Sequence, residues 1–245
     1  MVEGFPLVLA ANRDEHYDRP SATPGTINGE LPIIAGIDLR AGGTWLGANG
    51  RGIIAGILNR RANGESPPFA GVRSRGRLCL DLLQCRSIAE AESFLRCHRL
   101  RYNPFTAVIA DRFDALVSYN NGTEIILQSL APGLHVFSSA AQFDLHSAKA
   151  ERAYSLFAKA ARGKNLAQSD GVDTIAALQP VLADHSLAAD SADPGDAICV
   201  HREGSGTVSS SIVRFGAAES RFENFYCDGA PCSNAFGAPL ALGVS

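Results

Sequence analysis

Leu7-Val8-Leu9-Ala10-Ala11-Asn12-Arg13-Asp14-Glu15 is the stretch from which the fold of this chain can be read. An apolar run of strand character stops abruptly in an amide, a guanidinium and two carboxylates. Such a run fits a strand buried on both faces. Charged side chains are rarely buried unless paired. Four polar groups set directly against a core strand therefore imply one of two things: an ion pair closing the strand end, or a polar cleft served from one rigid point.

Outward from that strand, apolar runs and turn signals alternate. Pro24, Gly25, Asn28 and Gly29 mark a loop after Pro20. Leu31 to Ile37 and Thr44 to Ala48 read as strands. Asn49-Gly50-Arg51-Gly52 predicts a hairpin turn, since Asn and Gly accept positive φ, and Ile53 to Asn59 returns from it. Ser74 caps a predicted helix to Leu83, and Ser87-Ile88-Ala89-Glu90 is a capping-box pattern opening a second. Thr106 to Ala110, Ala115 to Tyr119, Ile125 to Leu127 and Leu134 to Ser138 follow as strands of an antiparallel meander. Helices are expected at Ser147 to Ala161 and Asp173 to Ala183, a mobile connection over 184–196, and strands at Ala197 to Val200, Thr207 to Phe215 and Arg221 to Tyr226. Helices grouped between runs of antiparallel strands predict an α+β layered fold.

With 245 residues and 46% hydrophobic content, the chain can bury a sizeable core. A net charge of −3 argues against a dedicated nucleic-acid binder. No apolar run approaches the length of a membrane span, and no signal peptide is evident. The expectation is a cytoplasmic protein. The six cysteines match no zinc-finger spacing. They are expected as reduced thiols, although Cys227 and Cys232 flank a turn and could bridge or share a metal. His98, His135, His146, His185 and His201 show no ligand-like spacing. No metal, cofactor, phosphate loop or dinucleotide fingerprint is expected.

Asn12-Arg13-Asp14-Glu15, followed by Tyr17 and Arg19-Pro20, resembles the signature of the NRDE family, which includes transport-and-Golgi-organisation proteins. Ala35-Gly36-Ile37-Asp38, Gly42-Gly43-Thr44-Trp45-Leu46-Gly47, Gly52 to Asn59, and Gly206-Thr207-Val208-Ser209-Ser210-Ser211 agree with it. The resemblance implies a single NRDE-like domain over residues 1–228, with 229–245 as a flexible C-terminal tail. It also implies an N-terminal-nucleophile-hydrolase-like fold, a four-layer αββα sandwich of two mainly antiparallel sheets with outer helices.

Hydrolases of that fold attack an amide carbonyl with a Cys, Ser or Thr at the mature N-terminus, using its own α-amine as base. A more remote resemblance, to the cysteine-type choloylglycine and penicillin-acylase group, implies Asn59 as oxyanion donor and Asp14 as the holder of the nucleophile's amine. Arg13 supplies positive charge beside them. Ala11, Ser139-Ala140 and Ile212 depart from that group, where an Arg, an Asn and a late Arg stand. NRDE proteins typically begin Met-Cys, a full strand before the signature. This chain begins Met1-Val2-Glu3-Gly4-Phe5-Pro6, and no Cys, Ser or Thr occurs before Asn12. The expectation is that the first strand and its Cys are missing.

Two functions follow from the resemblance. One is an amide hydrolase acting on linear, non-peptide C–N bonds. The other is a non-catalytic binder or carrier of a small ligand of haem or acyl-CoA type. Asn12, Glu15, Thr44, Trp45 and Arg60 are the ligand-binding candidates. From Arg51 to Arg77 six arginines stand against one glutamate; this reads as a solvated loop and helix start, with an anion-binding rim as the functional alternative. His16 beside the signature is read as incidental, and the serines at 209–211 as a polar strand face, since no nucleophile elbow surrounds them.

Overall fold

The computed structural model describes residues 4–60, 73–98, 102–122, 124–139, 147–162, 171–187 and 191–245. The chain gathers into two compact units. One comprises Met1–Pro20, Gly133–Ser138 and Gln142–Ala241; the other comprises Ser21–Pro132, Ser139–Ala141 and Leu242–Ser245.

The first strand, β1 (Leu7–His16), belongs to the first unit. The chain then builds a seven-stranded antiparallel sheet in simple sequential order: β2 (Ser21–Ile27), β3 (Ile33–Asp38), β4 (Leu46–Asn49), β5 (Ile54–Asn59), β6 (Phe105–Ala110), β7 (Ala115–Asn120) and β8 (Ile125–Ser129). Between β5 and β6 lie helices α1 (Arg75–Leu83) and α2 (Ile88–His98). Leu78, Cys79, Leu82 and Leu83 of α1 and Ala91 and Leu95 of α2 pack on Ile33, Ile53, Phe105 and Ile109 as one buried cluster. The caps stand where the sequence puts them. The Ser74 hydroxyl accepts from the Gly76 amide at 3.2 Å, and the Ser87 hydroxyl accepts from the Glu90 amide at 3.1 Å.

The Asn49 turn does more than reverse the chain. The Asn49 Oδ1 accepts from the amides of Arg51 and Ile53, both at 3.0 Å. Its Nδ2 donates to the carbonyls of Leu83 and Cys85, both at 2.9 Å. A fully buried amide thus caps the C-terminal end of α1, where helical carbonyls lack intrahelical partners. Gly52, at φ 88°, completes the turn.

Two departures from the expected strands have clear causes. Ser21 to Ile27 reads as a loop yet forms β2. Its Pro24 and Gly25 lie at a register shift between Ala22 and Gly25, on the sheet's edge strand, where a missing N–H costs no ladder bond. Leu134 to Ser138 reads as a strand but carries no ladder. Its apolar character serves packing instead, with Val136 against the cluster of Ala153, Val181 and Ile198.

The remaining elements are α3 (Ala148–Arg162), α4 (Gly171–Leu182), a short 3-10 helix (Pro194–Asp196), β9 (His201–Arg202), β10 (Ser205–Gly216) and β11 (Arg221–Asp228) of the first unit, and β12 (Leu240–Gly243), whose first two residues belong to it. Its sheet runs β1-β10-β11-β12, with β9 also on β10. Ala197 to Val200 is not a strand. Its last amide, that of Val200, donates to the Thr207 hydroxyl at 2.9 Å, so a side chain takes the place of a ladder carbonyl. The stretch after Gly229, expected as a loose tail, is held at several points. Gln179 Nε2 donates to the Pro231 and Asn234 carbonyls, the Gly237 amide donates to Tyr226, and Phe236 packs with α4.

Side chains alternate across this sheet. Val8, Ala10, Ile212 and Phe225 pack with Leu178 and Leu182 of α4 on one face. The register lines up the opposite face in rows: Leu7, Phe215 and Phe222; Leu9, Val213 and Asn224; Ala11, Ser211 and Tyr226; Arg13, Ser209 and Asp228. That face passes from apolar to polar as β1 reaches the signature. At the apolar end of the helix-side face a buried ion pair is sealed in. The Arg214 guanidinium binds Glu223 at 2.7 and 2.8 Å, donates to the Thr174 hydroxyl at 2.9 Å and lies 4.0 Å from the Phe5 ring centre. The fold is therefore α+β, two mainly antiparallel sheets with four α-helices among the described residues.

Candidate functional site

The signature residues on β1 point in different directions. Asn12 is a clamp. Its Nδ2 donates to the Leu182 carbonyl at the end of α4 and to the Ile198 carbonyl, both at 2.9 Å, while its Oδ1 accepts from the Ser210 hydroxyl at 2.5 Å. This repeats the chemistry of Asn49: a strand asparagine supplies donors to carbonyls at the end of a helix, which lack intrahelical partners.

A bulge follows. The register of β1 on β10 shifts between Arg13 and Asp14, which pairs Asp14 with Thr207. The Asp14 carboxylate accepts from the Thr207 hydroxyl at 2.6 Å and lies 3.7 Å from Lys149 Nζ on α3. Since the Thr207 oxygen also receives the Val200 amide, Asp14 terminates a short polar relay that fixes the segment leading into β9. Glu15 pairs locally with Arg19 at 3.4 Å and accepts from the His16 amide. Gly206 must lack a side chain, because a Cβ there would lie 2.4 Å from the Tyr17 hydroxyl and 2.5 Å from the Val200 carbonyl oxygen.

Arg13 is buried, on the face away from the helices, in the row of Ser209 and Asp228. Burial raises the pKa of Tyr226 two residues along β11, and the Arg13 guanidinium counteracts part of that rise. The Asn224 side-chain oxygen on the same face is buried without a hydrogen-bond partner among the described residues. Asn224 stands two rows from Arg13, in the row of Leu9 and Val213.

The remaining candidates lie in the second unit. The Thr44 hydroxyl is buried and donates to the Leu46 carbonyl at 3.0 Å. The Trp45 ring covers Gly36, where a Cβ would come within 2.7 Å of it. Asn59 ends β5 with its side chain exposed. Arg60 donates to the Thr106 hydroxyl at 3.3 Å and lies over the Tyr119 ring, 5.3 Å from its centre. Within the arginine-rich stretch, Arg73 pairs with Asp81 at 3.1 Å and Arg75 donates to the Pro104 carbonyl at 3.0 Å. These arginines bond to neighbouring structure. Arg61, Glu65, Ala140 and His146 lie outside the described residues.

All six cysteines are free thiols. Burial pushes the pKa of Cys85 and Cys227 up to about 11, and burial together with a hydrogen bond from the Cys199 thiol to Cys232 pushes Cys199 up to about 12. Thiols held protonated in this way are poor nucleophiles. The fold also brings together residues whose spacing gave no sign of it: His185, Cys199, His201 and Cys232 converge with their ligand atoms within 4.8 Å of one another. Cys227, which flanks the same turn as Cys232, turns its thiol to the Gly229 carbonyl.

The two sheets and their helices are similar to those of N-terminal-nucleophile hydrolases. A variant of conjugated bile acid hydrolase from Clostridium perfringens matches with a TM-score of 0.55 at 11% identity, covering 97% of this chain and 94% of that one. Penicillin V acylase from Agrobacterium tumefaciens matches with a TM-score of 0.51 at 10% identity, covering 90% and 78%. The N-acylethanolamine-hydrolyzing acid amidase ortholog of Caenorhabditis elegans matches with a TM-score of 0.51 at 11% identity, covering 84% and 90%. At such identities the likeness is one of fold.

The chain belongs to the Transport and Golgi organisation 2 family, whose sequence model matches residues 2–223. The mouse Transport and Golgi organization 2 homolog is 33% identical over 146 residues, 56% of this chain and 51% of that protein. The human homolog is 32% identical over 146 residues, with the same coverage. The chain spans about half the length of the curated relatives it matches. No helix among the described residues is long and apolar enough to cross a membrane.

Proposed function

We propose that this protein uses an N-terminal-nucleophile-hydrolase scaffold to act on linear, non-peptide C–N bonds of a small-molecule substrate in the cytoplasm. The observation that carries this reading is the polar end of the β1-β10-β11 face, where buried Arg13 stands in register with Ser209 and Asp228. A buried guanidinium there would stabilise negative charge developing on an attacked carbonyl. Asp14 is proposed as the group that orients an attacking amine, and Asn59 as an oxyanion donor. Asn12, Glu15, Thr44, Trp45 and Arg60 are proposed as supports of ligand binding.

None of residues 1–11 is Cys, Ser or Thr, so the attacking atom does not come from that stretch. A second reading is that the protein binds or carries an anionic small ligand of haem or acyl-CoA type without chemistry.

One experiment separates them. The protein is produced with any in-frame upstream Met-Cys its coding DNA supplies, and is incubated with chromogenic N-acyl amides. Acyl transfer to the N-terminal Cys, seen by mass spectrometry and reduced by Arg13→Met and by Asn59→Ala, supports the hydrolase. An inert extended protein removes it. Ligand titration with and without charge reversal at Arg60 and Arg61 then tests the carrier reading, which unchanged affinity would contradict.

A further inference from the structure

We propose that His185, Cys199, His201 and Cys232 form a closed, four-coordinate site for Zn²⁺ or a chemically similar transition metal, separate from the site discussed above. The ligand set is two thiols and two imidazoles, the set of structural zinc sites. The four residues come from separate places: the turn after α4, the segment before β9, β9 itself, and the turn after β11.

The geometry fits the metal. With Zn–S of about 2.3 Å and Zn–N of about 2.0–2.1 Å at tetrahedral angles, sulfur and nitrogen ligands stand about 3.6 Å apart. His201 Nε2 lies 3.6 Å from Cys199 Sγ and 3.5 Å from Cys232 Sγ. Two edges of the tetrahedron are thus already at length. The other separations fall within 4.8 Å, so the remaining closure is about 1 Å, within the reach of rotamer adjustment. The His185 and His201 rings are 4.9 Å apart and tilted by 43°, not stacked flat.

The surroundings orient the ligands. His185 Nδ1 donates to the Cys199 carbonyl at 3.2 Å, which leaves Nε2 with the lone pair a metal needs. The Cys199 amide donates to the Asp184 carbonyl at 2.9 Å, and Arg152 grips the Asp184 carboxylate through two nitrogens at 2.7 and 3.1 Å. Val200, between Cys199 and His201, is fixed by both the amide and the hydroxyl of Thr207. Asn12 holds Ile198, next to Cys199, and Leu182, three residues before His185. Cys199 is buried and the other three ligands are exposed, so an ion can reach the cluster from solvent.

The test uses the whole chain under reducing conditions. Chelator-treated protein is reloaded with Zn²⁺ and analysed by mass spectrometry for bound metal. A parallel sample is loaded with Co²⁺ and followed by absorption for tetrahedral ligand-field bands and thiolate charge transfer. One metal per chain is expected, with both spectral signatures. His201→Ala and Cys232→Ala should each lose stoichiometric binding, while Cys97→Ala, an exposed cysteine of α2, should keep it. A readout independent of any variant's folding is alkylation of Cys232 in the wild-type chain, which Zn²⁺ should block. Absence of stoichiometric metal, an unchanged cobalt spectrum in His201→Ala, or Cys232 alkylated equally with and without Zn²⁺ would each overturn the site. So would a Cys199–Cys232 disulfide that persists in reductant.

Discussion

Replacing Asn12 by Asp is a nearly isosteric change that exchanges the amide's donor NH2 for a carboxylate oxygen. The acceptor to Ser210 survives, but the donations to the Leu182 and Ile198 carbonyls, both at 2.9 Å, are lost. A carboxylate oxygen then faces two carbonyl oxygens. Each buried acceptor left unmatched costs about 1–3 kcal/mol. Asn12 is only half-buried, so the two together should cost about 2–4 kcal/mol. That is a large share of a typical total of about 5–15 kcal/mol. For a chain of this size each kcal/mol lowers the melting temperature by about 2–4 °C, so the variant should melt about 4–16 °C lower. Equilibrium urea unfolding followed by far-UV circular dichroism gives the free energy. Ser210→Ala serves as the control that loses one hydrogen bond, at about 0.5–1.5 kcal/mol. If Asn12→Asp stays within about 1 kcal/mol of the native protein at an unchanged m-value, the first residue of the signature is not a clamp, and the reasoning fails.

Three further outcomes are expected. Glu223→Ala strands Arg214 in the core and should destabilise by about 3–5 kcal/mol in thermal or urea unfolding, whereas the double change Arg214→Met with Glu223→Leu should recover most of that loss. Gly206→Ala forces a methyl against the Val200 carbonyl, which as backbone cannot step aside as the Tyr17 hydroxyl can; a loss of about 1–3 kcal/mol is expected by the same assay. The Arg152 fork holds the Asp184 carboxyl below its ordinary value. Its contribution is therefore present above the unfolded carboxylate value of about 3.9 and is lost as pH falls through the lower folded value. The stability gap between the native protein and Asp184→Asn should stay constant near neutrality and narrow below about pH 4, and a gap that widens on acidification would contradict the assignment.

Local signals carried much of the fold. The seven-stranded meander was legible from β3 onward because its turns use residues with a conformational reason to turn, Asn49-Gly50 and Asn121-Gly122, and its helices open on Ser74 and Ser87. β2 was hidden because Pro24 and Gly25 punctuate a strand that tolerates them only as a bulged edge. Ala197 to Val200 and Leu134 to Ser138 misled for the opposite reason, since apolar residues there serve packing and a side-chain hydroxyl stands in for a ladder carbonyl.

The candidate site was half legible. The signature announced a polar strand end, but not that a bulge after Arg13 would part Asp14 from the register that Arg13 keeps. The four-residue Cys and His cluster had no sequence signature, because its ligands are far apart and only the paths of α4, β9 and β11 bring them together. The one local hint was the spacing of Cys199 and His201 across a single residue, Val200, which sets two ligand types on neighbouring same-side positions of an extended segment.

Asn49 has a further consequence, one of chemical ageing. It precedes Gly50, the pairing most prone to succinimide formation, in which the glycine amide nitrogen attacks the asparagine side chain and ammonia leaves. In the native chain the Gly50 amide is committed to the Pro32 carbonyl at 2.9 Å, and the Asn49 oxygen is held by two other amides. Deamidation therefore waits for unfolding, and its aspartate or isoaspartate product has no proton to return to Leu83 and Cys85. Each melting event becomes partly irreversible at this one residue, so the isoaspartate content of a stored preparation should count how often its molecules have opened.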